Sequence, residues 1–432
     1  MHLFFSGIGG AGIGPLALIA HKAGYEVSGS DKQNSQYIEY LKNHGIKDIY
    51  IGQTRENIQR LNRRNPIDWY VYSSAILLEN PNSPEVNFCR ENNIKISKRD
   101  ELLNLIIKER KLKLIAIAGT HGKSTTTAMV IWLFKELGLP ISYSVGAKMN
   151  FGEMGEYNKE SEFFVYEADE FDRNFLSFEP YISVITGVSW DHHEIFPSRE
   201  DYQKAFSDFI EQSRHTIIWR EDEDYLELYE SSRIIVENSQ NLHINKITLD
   251  GQYNRLDAYL AVRALHEITN EPVDNLIPII NKFPGLKRRM EEIVPNLFSD
   301  YAHTPEKIRG AMSAALETAA KMNQKVIVVY EPLTDRRQHY IKHEYKDCFD
   351  GAEKVYWLPS YLAREDPNQS IINPEELISY LNDPNIAQPQ HRDEELKAII
   401  QKHLDNGDMV IGMNGGGGDS LDEWLRTEFK NS

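Results

Sequence analysis

The stretch Ala118-Gly119-Thr120-His121-Gly122-Lys123-Ser124-Thr125-Thr126 constrains this chain more than any other. An apolar run, Leu114-Ile115-Ala116-Ile117-Ala118, leads into it, and Ala128-Met129-Val130-Ile131-Trp132-Leu133-Phe134 follows. Buried strand, glycine turn and helix, in that order, are the setting that a phosphate-binding loop needs. Glycines let backbone N–H groups turn toward an anion at a helix start, where the helix dipole also favours negative charge. Gly119, Thr120, His121, Gly122 and Thr125 form that cradle. Lys123 adds a point charge for the β- and γ-phosphates, and Ser124 places a hydroxyl where Mg²⁺ would sit. The usual eight-residue pattern has a further glycine where this chain has Ile117, so the loop is a tightened variant. The sequence predicts a nucleoside-triphosphate site.

At 432 residues the chain is too long for one ordinary core and predicts two to three domains. Its formal net charge of -17 argues against general nucleic-acid or anionic-membrane partners, because the average field repels both. An anionic substrate must then be held by local lysines, arginines and backbone amides. Cys89 and Cys348 lie far apart in sequence, which excludes a disulfide scaffold and fits a reducing cytoplasm. The start, Met1-His2-Leu3-Phe4-Phe5-Ser6-Gly7, lacks the basic and long apolar regions of a secretion signal, and no apolar run is long enough to span a bilayer. A cytoplasmic location is the expectation.

Three α/β segments are predicted, at 1–110, 111–283 and 284–432. The first opens with strand Leu3-Phe4-Phe5-Ser6, then Gly7-Ile8-Gly9-Gly10-Ala11-Gly12, a helix, and strand Tyr25 to Gly29 ending at Ser30 and Asp31. This is βαβ order with a G-x-G-x-x-G turn and an acidic residue after the second strand, a Rossmann-like signature for a nucleotide diphosphate or dinucleotide with Asp31 near a ribose. The second segment carries the phosphate loop on a parallel sheet of P-loop ATPase type. Strands Phe163 to Tyr166 and Ile182 to Ile185 end at Glu167 and Thr186, on the same predicted sheet edge as the loop. Residues 215–250 give no clear pattern, and a helix is predicted from Asn254 to His266. The third segment, also Rossmann-like, has predicted strands at 325–329, 355–358 and 409–411.

Glu167 follows a buried strand in the domain of Lys123, so it is a candidate metal ligand, while Asp169, Glu170 and Asp172 read as surface or supporting acids. In Asp191-His192-His193-Glu194 at most one of the adjacent histidines faces a given point, and site and surface readings stand equal. Zinc lacks a third soft ligand at the right spacing. Arg288-Arg289 and Asp300-Tyr301-Ala302-His303 read either as groups reaching triphosphate and ribose or as a basic turn and a polar strand end.

Taken together and in order, Gly7 to Gly12, Gly29-Ser30-Asp31, Ser73-Ser74-Ala75-Ile76, Gly119 to Thr126, Glu167-Ala168-Asp169-Glu170, Asp191-His192, Arg288-Arg289 and Asp300 to Pro305 resemble the Mur ligases over essentially the whole chain. The resemblance implies a UDP-substrate domain, a central ATPase domain and a third domain that closes over ATP and an amino acid. It also implies the reaction. The lactyl carboxylate of UDP-N-acetylmuramate attacks the γ-phosphate of ATP, and an amine attacks the resulting acyl phosphate. The first domain and the Ser-Ser-Ala-Ile element are most like the branch that adds L-alanine. The neighbouring branch adds the L-Ala–γ-D-Glu–diaminopimelate tripeptide in murein recycling. By resemblance, Lys123, Glu167 and His192 are catalytic, and Ser124, Glu167 and His192 hold Mg²⁺. Asn254 contacts adenine, and Arg289 and Asp300 contact phosphate and ribose. Gly7, Gly9, Gly10, Gly12, Asp31 and Ser74 hold the UDP part, Arg99 the sugar side, and Tyr301, His303 and Arg337 the amino acid.

Two departures stand out. The adenine element, His-Asn-x-x-Asn in the family, reads Tyr253-Asn254-Arg255-Leu256-Asp257 here. The family's two carboxylate-binding arginines become Thr334 and Arg337 within Glu331-Pro332-Leu333-Thr334-Asp335-Arg336-Arg337. Two other function classes compete. An NAD-dependent oxidoreductase built on Gly7 to Gly12 leaves Lys123, Ser124 and Glu167 without purpose, and a regulatory or motor NTPase lacks a partner-docking patch.

Overall fold

Strand and helix alternate along the chain because apolar runs of strand length are separated by amphipathic segments, and the result is three parallel-dominated sheets. A computed structural model describes every residue except 11, 74, 75, 77–79, 81, 192–194, 230, 361, 363–368, 416–418, 431 and 432. The first sheet comprises β1 (His2–Ser6), β2 (Glu26–Asp31), β3 (Ile49–Ile51), β4 (Trp69–Tyr72) and β5 (Lys95–Lys98) in the order β3-β2-β1-β4-β5. All its pairings are parallel. Successive residues of β1 serve opposite faces: Leu3 and Phe5 join one core with Val27 and Trp69, whereas Phe4 joins another with Ile58, Tyr70 and Val86.

The second sheet holds β6 (Lys113–Ala118), β7 (Ser142–Ser144), β8 (Gly155–Glu156), β9 (Phe163–Glu167), β10 (Ile182–Ile185), β11 (His215–Trp219) and β12 (Ile234–Glu237). Its order is β12-β11-β10-β6-β9-β7-β8, parallel except for the edge pair β7·β8. The stretch at 215–250 that gives no clear sequence pattern contains β11 and β12, with a short helix, Arg220–Tyr225, between them. These two sheets and Asp257–Phe283 form one compact unit with Met1–Ile247. Leu102, Leu103 and Ile106, on the helix Arg99–Glu109, share one core with Phe164, Tyr166, Phe175 and Phe178 of the second sheet and its connections.

Thr248–Leu256 and Pro284–Ser432 form a second compact unit. Its sheet contains β13 (Glu291–Val294), β14 (Leu297–Asp300), β15 (Val326–Glu331), β16 (Lys354–Trp357), β17 (Ala387–Pro389) and β18 (Met409–Asn414), ordered β13-β14-β18-β15-β16-β17. Only β13·β14 is antiparallel. The expected strands are present, and β13, β14 and β17 extend the sheet. Among the described residues no helix is long and apolar enough to cross a membrane.

The second unit's core centres on Trp357, which is fully buried, with Tyr330, Tyr345 and Phe349 at ring-centroid distances of 4.9, 5.1 and 5.4 Å. Edge-to-face packing of this kind adds to the area term. Trp357→Ala is expected to lower the unfolding free energy by about 3–5 kcal/mol in urea titration. A loss under about 1 kcal/mol would show that the cluster does not hold this unit together.

Candidate active site

Strand β6 stands between β10 and β9, both parallel to it, so the three strands release their chains at one edge. The phosphate loop leaves β6 there, and Glu167 and Thr186 emerge beside it. The turn depends on two glycines. Gly119 has φ +145°, and a Cβ on it would lie 2.3 Å from Thr186 Oγ1; Gly122 has φ +76°, and a Cβ there would lie 2.5 Å from Asp257 Oδ1. Thr120 N–H donates to the Gly187 carbonyl at 2.8 Å, and the Thr186 hydroxyl donates to the His121 carbonyl, which pins the loop to the strand beside it. His121 Nε2 lies 3.1 Å from Ser189 Oγ. The helix Lys123–Glu136 then begins at Gly122, which has no side chain to cap its first-turn N–H groups. An uncapped helix start with a lysine at its first position fits a phosphate.

Lys123 Nζ donates to the Gly119 carbonyl and lies 2.7 Å from Glu170 Oε2. Burial alone would lower its pKa; Glu170, Asp169 and Glu167 more than reverse this, and the net shift is upward. Glu170 is itself fully buried, so of the two expectations, a surface acid or a supporting one, the first is corrected and the second fits its place beside Lys123. An ammonium carried into the interior requires a carboxylate partner, and Glu170 supplies it. Asp172 and Arg173 follow with φ of 54° and 56°, a left-handed turn that folds the chain back after the acidic run.

Ser124 Oγ donates to Glu167 Oε1 at 2.8 Å, and Glu167 Oε2 accepts the Gly146 N–H at 2.7 Å. A hydroxyl and a carboxylate side by side form the oxygen-rich donor set that Mg²⁺ prefers, so these two residues fit that ion. His192 and His193 lie outside the described residues, and no group of three His, Cys, Asp or Glu side chains able to hold a metal occurs among those described.

At the carboxyl edge of the first sheet, Gly7 takes φ +76° and Gly9 N–H donates to Asp31 Oδ2 at 2.8 Å, which ties the glycine loop to the end of β2. A Cβ on Gly12 would lie 2.1 Å from Arg99 Nη1. Only glycine leaves room for that guanidinium. Arg99 Nη2 donates in turn to Asp169 Oδ2 at 3.3 Å. Gly12, Arg99, Ser144, Gly146, Glu167 and Asp169 thus line one cavity of about 270 Å³. Ser74 lies outside the described residues.

The other predicted residues belong to the second unit. Met290 N–H donates to Asp300 Oδ2 at 2.8 Å, and Arg289 lies 4.9 Å from the Tyr301 ring, which meets the His303 ring at 4.7 Å. Burial pushes the Asp300 carboxyl up to about 6 despite Arg289. Burial, together with Lys307 and Arg337, holds His303 well below the usual histidine range, so its imidazole is neutral. Arg289, Asp300, Tyr301 and His303 are therefore assembled, with Arg337 close enough to act on His303. The Asn254 amide donates to the Asp250 carbonyl at 2.7 Å, within its own turn.

One site residue escapes its sequence motif. Asp257, where the family pattern has asparagine, is buried against Gly122, and burial raises its carboxyl to about 7, with Thr126 offsetting part of the rise. A carboxyl raised in this way takes up a proton on folding at any pH between its unfolded and folded values. Its contribution to stability therefore declines as pH rises from about 4 to about 7 and is constant above that. Asp257→Asn is expected to stabilise the protein relative to wild type by on the order of a few kcal/mol at pH 8, and by much less at pH 4. Identical wild-type and variant melting at both pH values would contradict this.

The phosphate loop and its carboxylates on one parallel sheet, beside a Rossmann-like glycine loop, define an ATP-using α/β enzyme. Residues 2–111 match the Mur ligase family catalytic domain and residues 117–250 the Mur ligase middle domain. The chain is 30% identical over 448 residues to the UDP-N-acetylmuramate–L-alanine ligase of Clostridium tetani, covering 95% of each. The crystal structure of the UDP-N-acetylmuramate-alanine ligase of Thermotoga maritima shares the fold at TM-score 0.76 and 22% identity, covering 100% of this chain and 99% of that one. A murein peptide ligase of Psychrobacter arcticus does so at TM-score 0.66 and 20% identity, with the same coverage. The chain belongs to the Mur ligase family and is an ATP-dependent amide-forming ligase of peptidoglycan precursor synthesis.

Proposed function

We propose that the enzyme joins L-alanine to the lactyl carboxylate of UDP-N-acetylmuramate in the cytoplasm, within domains at 1–110, 111–283 and 284–432. The observation that carries this reading is the cavity where the glycine loop and Arg99 meet Glu167 and Gly146, beside the phosphate loop. A substrate whose diphosphate lies on the glycine loop directs its carboxylate toward the γ-phosphate. The likeness to L-alanine ligases over 95% of both chains supports the choice of substrates.

In this reading a carboxylate oxygen attacks the γ-phosphorus, the bond to the bridging oxygen breaks, and ADP leaves. The amine nitrogen then attacks the acyl carbon, a C–N bond forms, the C–O bond to phosphate breaks, and the amine sheds a proton. Gly7, Gly9, Gly10, Gly12, Asp31 and Ser74 bind the UDP part, and Arg99 orients the sugar side. Amides of Gly119 to Thr125 and the Lys123 charge hold the phosphates, where fixed donors lower the cost of the charge that develops. Asn254, Arg289 and Asp300 hold the remainder of ATP; Tyr301, His303 and Arg337 receive the amino acid. Ser124, Glu167 and His192 hold Mg²⁺, which neutralises phosphate charge when bound. A longer amine donor is a second reading, favoured by the replacement of the first carboxylate-binding arginine with Thr334.

Lys123→Ala is expected to abolish phosphate release that depends on UDP-N-acetylmuramate while leaving binding of that substrate nearly intact; wild-type turnover would remove Lys123 from the reaction. Arg337→Ala is expected to raise the KM for the amino acid about tenfold, with little change for ATP, because a charge-assisted pair is lost. Equal effects on both KM values would place Arg337 elsewhere.

A further inference from the structure

The helices Gly14–Lys22 and Lys123–Glu136 start at the glycine loop and the phosphate loop, and each carries a lysine in its last turn, Lys22 and Lys135. Both lysines line a cavity of about 560 Å³ that the reaction above leaves unused. It lies at the edge of the second sheet, where Tyr143 of β7 pairs with Glu156 of β8. At ~1.5 Å per residue the helix places Lys135 about 18 Å from Lys123, so this cavity is not the phosphate-loop site. Lys22 Nζ lies 2.7 Å from Glu156 Oε1. Lys159, also in the wall, is exposed. The Asn158 side-chain oxygen accepts the Glu160 N–H at 2.9 Å, which leaves its amide nitrogen as a further donor. Among the described wall residues, three ammoniums therefore face one carboxylate, that of Glu156. The two helix ends add about −0.5 charge each, and the wall stays positive.

Lys135 is the centre of this wall. It is half-buried, its Nζ donates to the Phe151 carbonyl at 2.8 Å, and the Tyr143 and Phe151 ring centroids lie 5.3 and 5.8 Å from it. A carbonyl and two aromatic rings hold an ammonium in place without neutralising it. Burial lowers its pKa, and Glu156 and Glu153 offset only part of that. A Cβ on Gly152 would lie 2.5 Å from Lys135 Nζ, so glycine at that position leaves the ammonium its place. A cation held in this way gains from an incoming anion. Donors from both helices and from the segment after β8 select an oxygen-rich ligand with more than one negative charge, which is a phosphate group rather than a single carboxylate. Leu139, Pro140 and Ile141 form an apolar side of the cavity, with room for a small organic body on the phosphate.

We propose that this cavity is a second phosphate site, remote from the phosphate loop, in which one phosphate group bridges Lys22 to Lys135 and Lys159. The bridge ties the helix behind the glycine loop to the helix behind the phosphate loop, and it adds to the link that Lys22 and Glu156 already make between them. The site is independent of which amine donor the enzyme uses.

The test uses the full chain with its phosphate loop filled by the non-hydrolysable analogue AMP-PNP and Mg²⁺, at constant ionic strength. Orthophosphate and phenyl phosphate are titrated in by calorimetry, and thermal melting is followed alongside. One phosphate group per chain is expected to bind, with a rise in Tm of about 3 °C at roughly a hundredfold excess over Kd. Lys135→Met keeps the apolar stem and removes the charge, and it is expected to weaken binding about tenfold, the loss of one charge-assisted contact. Lys159→Ala, at an exposed side chain, is expected to weaken binding about threefold and decides the matter should Lys135→Met fail to fold. Tighter binding of phenyl phosphate would identify a phosphorylated small molecule as the ligand, and binding no tighter than that of orthophosphate would identify free phosphate; either supports the site. No binding of either probe with the phosphate loop filled, or binding that neither variant weakens, would overturn the inference.

Discussion

Parallel pairing of β6 with β9 on one side and β10 on the other is the constraint on which the phosphate-loop site depends. Parallel strands run in one direction and end at the same edge of the sheet, so a loop leaving β6 shares that edge with whatever follows the other two. That register sets Glu167 beside Ser124 and brings Thr186 and Gly187 against the loop's own backbone. An antiparallel neighbour would send those groups to the opposite edge. Because such a sheet is buried on both faces, its strands are continuous apolar runs, and polar chemistry is confined to their ends.

Charge is handled within this frame by pairing. Lys123 is held by Glu170 and by loop carbonyls. Glu170 keeps the ammonium charged and in place, since an unpaired charge in the interior costs several kcal/mol. Arg99 is treated in the same way, with Asp169 beside it and Gly12 leaving room for it. The two acids of the Glu-Ala-Asp-Glu segment therefore serve different sheets: Glu170 supports the phosphate loop, and Asp169 supports the arginine next to the glycine loop.

Much of this was legible in the chain because its signals are local. Strand, glycine turn, lysine and helix sit within one stretch, and a strand ending in Glu167 or Thr186 announces its own edge. The α/β class and the three sheets followed from the same alternation. Glu170 was not legible: in an acidic run nothing local separates a buried partner from a solvated neighbour, and its partner, Lys123, lies far from it in sequence. The packing of Asp257 on Gly122 joins segments distant in sequence, and its meaning depends on the absent Cβ.

The central claim is that a carboxylate on the nucleotide-sugar substrate is activated by phosphoryl transfer at the Lys123 loop, and the fate of one oxygen tests it most directly. UDP-N-acetylmuramate labelled with ¹⁸O in both lactyl carboxylate oxygens would be turned over with ATP and amine donor, and the released phosphate analysed by mass. Attack of the carboxylate on the γ-phosphorus, followed by C–O cleavage, predicts one ¹⁸O atom in each phosphate formed. Phosphate free of label, released in step with amide product, would contradict the account.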